Sequence, residues 1–259
     1  MHPVIFKISF AEVRSYYLLW ASALLVFVYF TRRRAVKLYG IADDDAISIL
    51  RWVYVAGIVG AFAGSVIERL PLFIAGQITA SVLFHGMSSW GGFLAGGVVG
   101  MWQLRKRRVS ICDFAEATSV PATAMIAVGR IGCLLEGCCQ GVGRRYASAP
   151  VWAVHMSYDP ADYFRIPTQL IESLAALAIM FLLLAVENFF KKAKKSAGAA
   201  VEFPLFMVIY SIYRLISDRF REVPSAVSMV PKTLMWCAVA AAGLVWLWRS
   251  LGGHLRKKP

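Results

Sequence analysis

Long apolar runs, separated by tight clusters of arginine and lysine, recur along this chain at a length that a lipid bilayer demands. Seven can be read, at about 16–30, 52–67, 81–104, 114–127, 170–190, 203–216 and 234–248. A hydrocarbon core about 30 Å thick takes roughly 20 apolar residues per helix, and backbone facing lipid must satisfy its own hydrogen bonds. The pattern therefore predicts an all-α integral membrane protein of about seven transmembrane helices, folded as one domain over 1–259. The composition agrees, with 59% of the residues hydrophobic and a mean hydropathy of +0.61.

The basic clusters set a topology. Arg32, Arg33 and Arg34 follow the first run, and Arg105, Lys106, Arg107 and Arg108 follow the third. Lys191, Lys192, Lys194 and Lys195 follow the fifth, and Arg256, Lys257 and Lys258 the last. Clusters thus trail every odd-numbered run, and the positive-inside rule makes that side cytoplasmic. The amino terminus is expected outside, the carboxyl terminus inside, and 131–166 as an external loop or head region. The net charge of +13 then reads as topology plus attraction to anionic headgroups. No basic and aromatic module supports nucleic-acid binding. The first run has its positive cluster after it and no small-residue cleavage site, so it is read as a retained helix. The stretch 4–13, with Ile5, Phe6, Ile8 and Phe10, is read as a short interfacial helix.

Charges inside the apolar runs point to function. Arg130 stands near the end of the fourth run between Gly129 and Gly132, and an arginine near hydrocarbon faces a cavity, a partner or an anionic ligand. Glu172 falls about one turn into the fifth run, after Pro167, Thr168 and Gln169, and needs a cationic or hydrogen-bonding partner there. In the sixth run Tyr210, Arg214, Asp218 and Arg221 share a helical face at offsets of four, four and three. That face is either a surface ion-pair ladder or, with Arg130, a site for phosphate, which planar bidentate guanidinium groups suit.

Other motifs have plainer readings. Gly92, Gly96 and Gly100 at four-residue spacing predict close helix packing, and no phosphate-loop lysine follows them. Cys133, Cys138 and Cys139 fall in the proposed external loop, where a disulfide from Cys133 to one of the pair is permitted. Their C-x4-C-C spacing matches no standard zinc site, so no metal and no cofactor is expected. Cys112 and Cys237 read as small packing residues. A transporter is disfavoured, since neither an inverted repeat nor a pair of broken helices is evident.

Together and in this order, Gly129-Arg130-Ile131-Gly132, Pro167-Thr168-Gln169-Leu170 with Glu172, and Tyr210 with Arg214 and Arg221 resemble the prolipoprotein diacylglyceryl transferase family. The resemblance runs from about Tyr16 to Arg221. It implies a seven-helix bacterial inner-membrane enzyme of lipoprotein biosynthesis, with its amino terminus outside. It also implies that Arg130 and Arg214 hold the phosphate of phosphatidylglycerol while a diacylglyceryl group passes to the cysteine thiol of a prolipoprotein signal peptide. Tyr16, Gly129, Gly132, Gln169, Tyr210, Asp218 and Arg221 are the implied substrate-binding residues, with Asp218 where the family usually has glutamate.

Two departures stand out. His85-Gly86-Met87-Ser88-Ser89-Trp90 puts Trp90 where the family has a histidine often assigned as base, and an indole accepts no proton. Cys133 and Cys138 occupy positions where the family usually has asparagine and glutamate. A thiol acceptor still needs deprotonation, and His85, Glu136, His155 and Glu172 are the candidate bases. The expected function is a phosphatidylglycerol-dependent diacylglyceryl transferase, or a divergent relative with another acceptor. A non-catalytic lipid-binding protein that keeps the arginine pair is the alternative.

Overall fold

The computed structural model describes residues 4–8, 11–84, 86–156, 159–192, 200–222 and 229–256. The chain is mostly helical: α1 Ser15–Tyr39, α2 Asp43–Ile74, α3 Ala80–Leu83, α4 Ser89–Lys106, α5 Ile111–Glu136, α6 Thr168–Lys192, α7 Glu202–Ser217 and α8 Met229–Arg256. Every apolar run thus contains a helix, and the four segments Asp43–Ile74, Ile111–Glu136, Thr168–Phe190 and Lys232–Gly252 are long and apolar enough to cross a membrane. The other three long helices fall short of that combined length and apolarity. At about 1.5 Å per residue, the 16 residues of α7 reach only about 24 Å.

Three expectations need correction. The stretch 4–13 is no helix: β1 Val4–Ile8 and β2 Ala11–Arg14 pair antiparallel, with Val4 opposite Arg14 and Ile8 opposite Ala11. Val4, Ile5, Ile8 and Val13 are β-branched, and that preference outweighs the apolar pattern taken for a helix face. The third run is interrupted, because the 86–88 backbone is non-helical and Gly86 has φ 108°. The fourth run stays helical past 131, where a loop was expected, since α5 continues to Glu136 and Arg130 lies more than a turn inside the helix.

Two compact units emerge, 32–114 and 1–31 with 115–259. In the first, α2 and α4 meet through their glycines. A Cβ built on Gly91 would lie 2.4 Å from Gly60 O, and one on Gly92 3.0 Å from Gly57 O. Only bare backbones approach this closely, which is the packing role expected for the glycine stripe. Three aspartates, Asp43, Asp44 and Asp45, occupy the first turn of α2, where the helix dipole favours negative charge. Arg107 at the end of α4 donates to Asp45 at 2.7 Å and to Ser48 Oγ at 2.6 Å.

In the second unit α5 touches α1, α6 and α7. Trp20 of α1 lies flat against Gly129, where a Cβ would come within 2.8 Å of the indole. The Glu116 carboxylate accepts from the first amides of α7, Glu202 N at 3.0 Å and Phe203 N at 2.8 Å, satisfying donors that a helix start leaves open. Ser173 of α6 donates to Ala127 O at 2.8 Å beside a buried cluster of Ile126, Ala127 and Ala176. Trp236 and Trp246 of α8 pack on Tyr210 and Phe203 of α7. Between α5 and α6 the chain forms a small hairpin of β3 Gly143–Arg145 and β4 Tyr163–Arg165.

Candidate active site

Glu172, one turn into α6, is only 2% exposed, and a carboxylate so buried persists only if its oxygens are filled. Arg130 of α5 meets Oε1 at 2.9 Å, and Arg214 of α7 donates through Nη1 to both oxygens at 3.0 Å. Tyr210, one helical turn before Arg214, donates its hydroxyl to Oε1 at 2.8 Å. Arg214 turns its second nitrogen, Nη2, to Asp218 at 2.6 Å, and Arg221 stands 3.8 Å from Glu172 and 3.7 Å from Asp218. Only Tyr210 and Arg214 share a face of α7, which ends at Ser217; Asp218 begins a 3-10 turn and Arg221 is already extended, so the single helical face expected for all four does not hold, although all four gather around Glu172.

Three guanidinium groups therefore face two carboxylates and leave one positive charge. Arg214 Nε and Asp218 Oδ2 are buried without a protein partner among the described residues. The Arg214 guanidinium also lies 5.4 Å from the centre of the Trp236 ring, a cation–π contact that keeps its plane fixed.

The other expected site residues divide. Gly129 and Gly132 serve the α1–α5 seam, since a Cβ on Gly132 would meet Leu19 Cβ at 3.3 Å and Tyr16 O at 3.5 Å. Tyr16 enters that seam through its backbone, and its ring sits edge-on to Tyr17 and tilted against Trp20. Gln169, 1% exposed, holds the loop after α5 by donating to Cys138 O at 2.7 Å, and its Oε1 is buried without a partner among the described residues. Glu136 is the last residue of α5. His155 lies in the exposed loop with Nδ1 3.0 Å from Tyr163 O; a carbonyl only accepts, so Nδ1 carries the proton and Nε2 is left as the acceptor. His85 lies outside the described residues. Trp90 donates its indole N–H to Glu68, which also accepts from Ser88 Oγ at 3.0 Å.

All five cysteines are unbridged, yet the Sγ atoms of Cys133, Cys138 and Cys139 lie within 4.8 Å of one another. Arg130 Nη1 is 3.9 Å from Cys133 Sγ. Hydrogen bonds from Cys133 and Cys138 hold the Cys139 thiol below its ordinary range, with Arg221 and Arg130 acting in the same direction, and Cys138 is pushed up in turn.

Reading the sequence missed the residue that organises this loop. Arg165 grips Asp159 with two bonds, 2.5 and 2.9 Å, and reaches Glu222 beyond α7 with a third. Its hydrogen bonds to Asp159 and Glu222 raise the guanidinium further above its usual value. Val142 N donates to Phe220 O at 2.9 Å and Glu222 N to Gln140 O at 3.1 Å, so the loop is laced to the end of α7 beside Arg221. The signal available was an arginine two residues before Pro167, in a stretch read as mere loop.

Apolar helices of membrane-spanning length and a buried cluster of three arginines around one carboxylate define a helical membrane protein with an anion-seeking polar centre. The description "prolipoprotein diacylglyceryl transferase" belongs to the family model that matches residues 3–249, and the chain belongs to that family. Similar proteins include the phosphatidylglycerol–prolipoprotein diacylglyceryl transferases of Azospirillum brasilense, 32% identical over 69% of this chain and 66% of that one, and of Clostridium tetani, 25% identical over 86% and 87%. That of Geobacter sulfurreducens is 25% identical over 85% of this chain and 82% of its own.

Proposed function

We propose that this protein transfers the diacylglyceryl group of phosphatidylglycerol to the cysteine thiol of a prolipoprotein signal peptide. It does so as a seven-span, multi-pass protein of the bacterial inner membrane, with its amino terminus outside and its carboxyl terminus in the cytoplasm. The observation that carries this reading is the convergence of Arg130, Arg214 and Arg221 on Glu172 in a member of this family. The cluster's one surplus positive charge matches one phosphodiester. In the reaction the thiolate sulfur bonds to the diacylglyceryl methylene, the carbon–oxygen bond to phosphate breaks, and glycerol phosphate leaves with a second negative charge. Preorganised guanidinium groups stabilise that developing charge without reorganising, which is where electrostatic catalysis gains most. Glu172, already saturated by three donors, acts as counter-charge and positioner of the arginines. The thiol proton goes to another base, for which His155 Nε2, Glu136 and His85 are the candidates.

The pairing of Trp90 with Glu68 supports a second reading, a lipid-binding protein without catalysis, because the indole occupies the histidine position as a donor. Labelled phosphatidylglycerol and a lipobox peptide, given to the wild type, Arg130→Ala and Arg214→Ala, separate the two. Transfer that falls about 100-fold or more in each variant supports the enzyme. Lipid bound but never transferred by the wild type supports the binding protein. A carboxyl-terminal reporter that is active only in the periplasm would overturn the orientation.

A further inference from the structure

α5 ends in a way that gathers its cysteines. Cys138 N donates to Cys133 O at 3.1 Å and Gly137 N to Leu134 O at 3.2 Å, the paired bonds of a Schellman closure, with Gly137 at φ 77° in the left-handed region. The reversal brings Cys138 and Cys139 back over Cys133, which lies on the last turn of the helix. Cys139 is itself left-handed at φ 59°, a conformation that a residue with a Cβ rarely takes unless it is held. It is held: Thr168 Oγ1 donates to Cys139 O at 2.9 Å and Gln169 Nε2 to Cys138 O at 2.7 Å, both from the first turn of α6. Four hydrogen bonds, two of them from side chains, thus place three sulfur atoms within 4.8 Å of one another.

Three thiolates around one ion at about 2.3 Å stand roughly 4.0 Å apart in a trigonal plane, so closing this site takes at most about 0.8 Å of sulfur movement. Among the described residues no fourth histidine, cysteine or carboxylate joins the group. A closed structural zinc site takes four protein ligands and lacks its last one here, whereas a soft ion content with three thiolates lacks none. Three thiolates with one monovalent cation carry two negative charges, and the Arg130 guanidinium 3.9 Å from Cys133 Sγ offsets part of that. We propose that Cys133, Cys138 and Cys139 form a three-thiolate site for a soft monovalent cation, Cu(I), beside the arginine cluster. Binding exchanges the thiol protons for the ion and involves no change of oxidation state. Chain spacing could not reveal this site, because it is the left-handed reversal that closes it.

The test is an anaerobic Cu(I) titration of the full-length protein in detergent, kept reduced, against a competing chromogenic Cu(I) chelator. The wild type is expected to retain one Cu(I) per chain, with sulfur neighbours in X-ray absorption. Cys139→Ser, at an exposed position, and Cys138→Ser are each expected to lose affinity by at least ten-fold while unfolding at the wild-type temperature. Cys112→Ser is expected to bind as the wild type does. The proposal is overturned by wild-type protein that yields all its Cu(I) to the chelator, or by Cys139→Ser binding as tightly as wild type. It is overturned equally by a Cys133–Cys138 disulfide that persists under reduction, or by zinc binding in place of copper. None of these outcomes depends on transferase activity, so the two proposals fail separately.

Discussion

Replacing Glu172 with glutamine removes one negative charge from the middle of three guanidinium groups while keeping the side chain's size. The amide oxygen still accepts from Tyr210, now 2.8 Å away, but the amide nitrogen must face arginines that also only donate. That oxygen stays within reach of Arg130 at 2.9 Å and Arg214 at 3.0 Å, but Arg214 loses its second acceptor, both ion pairs lose their negative charge, and the cluster's surplus rises from one positive charge to two. With the carboxylate 2% exposed and Arg214 10% exposed, water cannot make up the loss. Removing one partner of a buried ion pair costs about 3–5 kcal/mol. For a chain of this size each kcal/mol moves the unfolding midpoint by about 2–4 °C, which predicts a fall of roughly 6–20 °C. Thermal unfolding in detergent measures it, and added glycerol phosphate should stabilise Glu172→Gln more than the wild type by supplying the missing charge. A midpoint within about 2 °C of wild type would refute the reasoning, since it would mean the cluster is screened by solvent. A pH–rate profile that loses one limb in this variant would instead make Glu172 the proton acceptor.

Arg165→Met leaves the carboxylates of Asp159 and Glu222 without their shared cation, with Asp159 buried to 6% exposure. A loss of about 3–5 kcal/mol and faster proteolysis between 141 and 165 are expected. Two glycines of α4 should respond oppositely to alanine. Gly91→Ala drives a Cβ into the Gly60 carbonyl and should cost at least 1–3 kcal/mol, whereas Gly97 has nothing within 4 Å and Gly97→Ala should be neutral or stabilising by up to about 1 kcal/mol. Thermal unfolding of both variants checks the contrast. Trp90→Phe removes the indole donor from Glu68 and should lower stability by about 1 kcal/mol while leaving transfer unchanged, because the indole accepts no proton. A ten-fold loss of transfer would show that the ring touches substrate.

The helices were legible because each apolar run carries its own length and its own boundaries. Arg105 to Arg108 and Pro167 mark ends that the structure places within a few residues of those of α4 and α6, whereas α1 runs on through Arg32 to Arg34 as far as Tyr39. The glycine stripe was legible for the same reason, since spacing of four along a helix is a statement about one face. The β1–β2 hairpin was not, because a short apolar stretch fits a strand and an interfacial helix equally well until its pairing is known. Arg165 was invisible because one of its two partners, Glu222, lies beyond the whole of α6 and α7. Trp90 was seen as a lost histidine but not as a partner of Glu68, 22 residues earlier on another helix.

Taken alone, the sequence determined the class of this protein: runs of apolar residues must leave water, and the charges set among them, Arg130, Glu172 and Arg214, had to find partners. It did not determine which partners. Only the tertiary structure decided that Glu172 binds the arginines together, that Gly129 and Gly132 serve helix packing, and that a left-handed turn at Gly137 gathers three thiols. The reason is physical: hydrophobic periodicity acts within a segment, whereas ion pairs, caps and thiol clusters depend on distances between segments that no local spacing records.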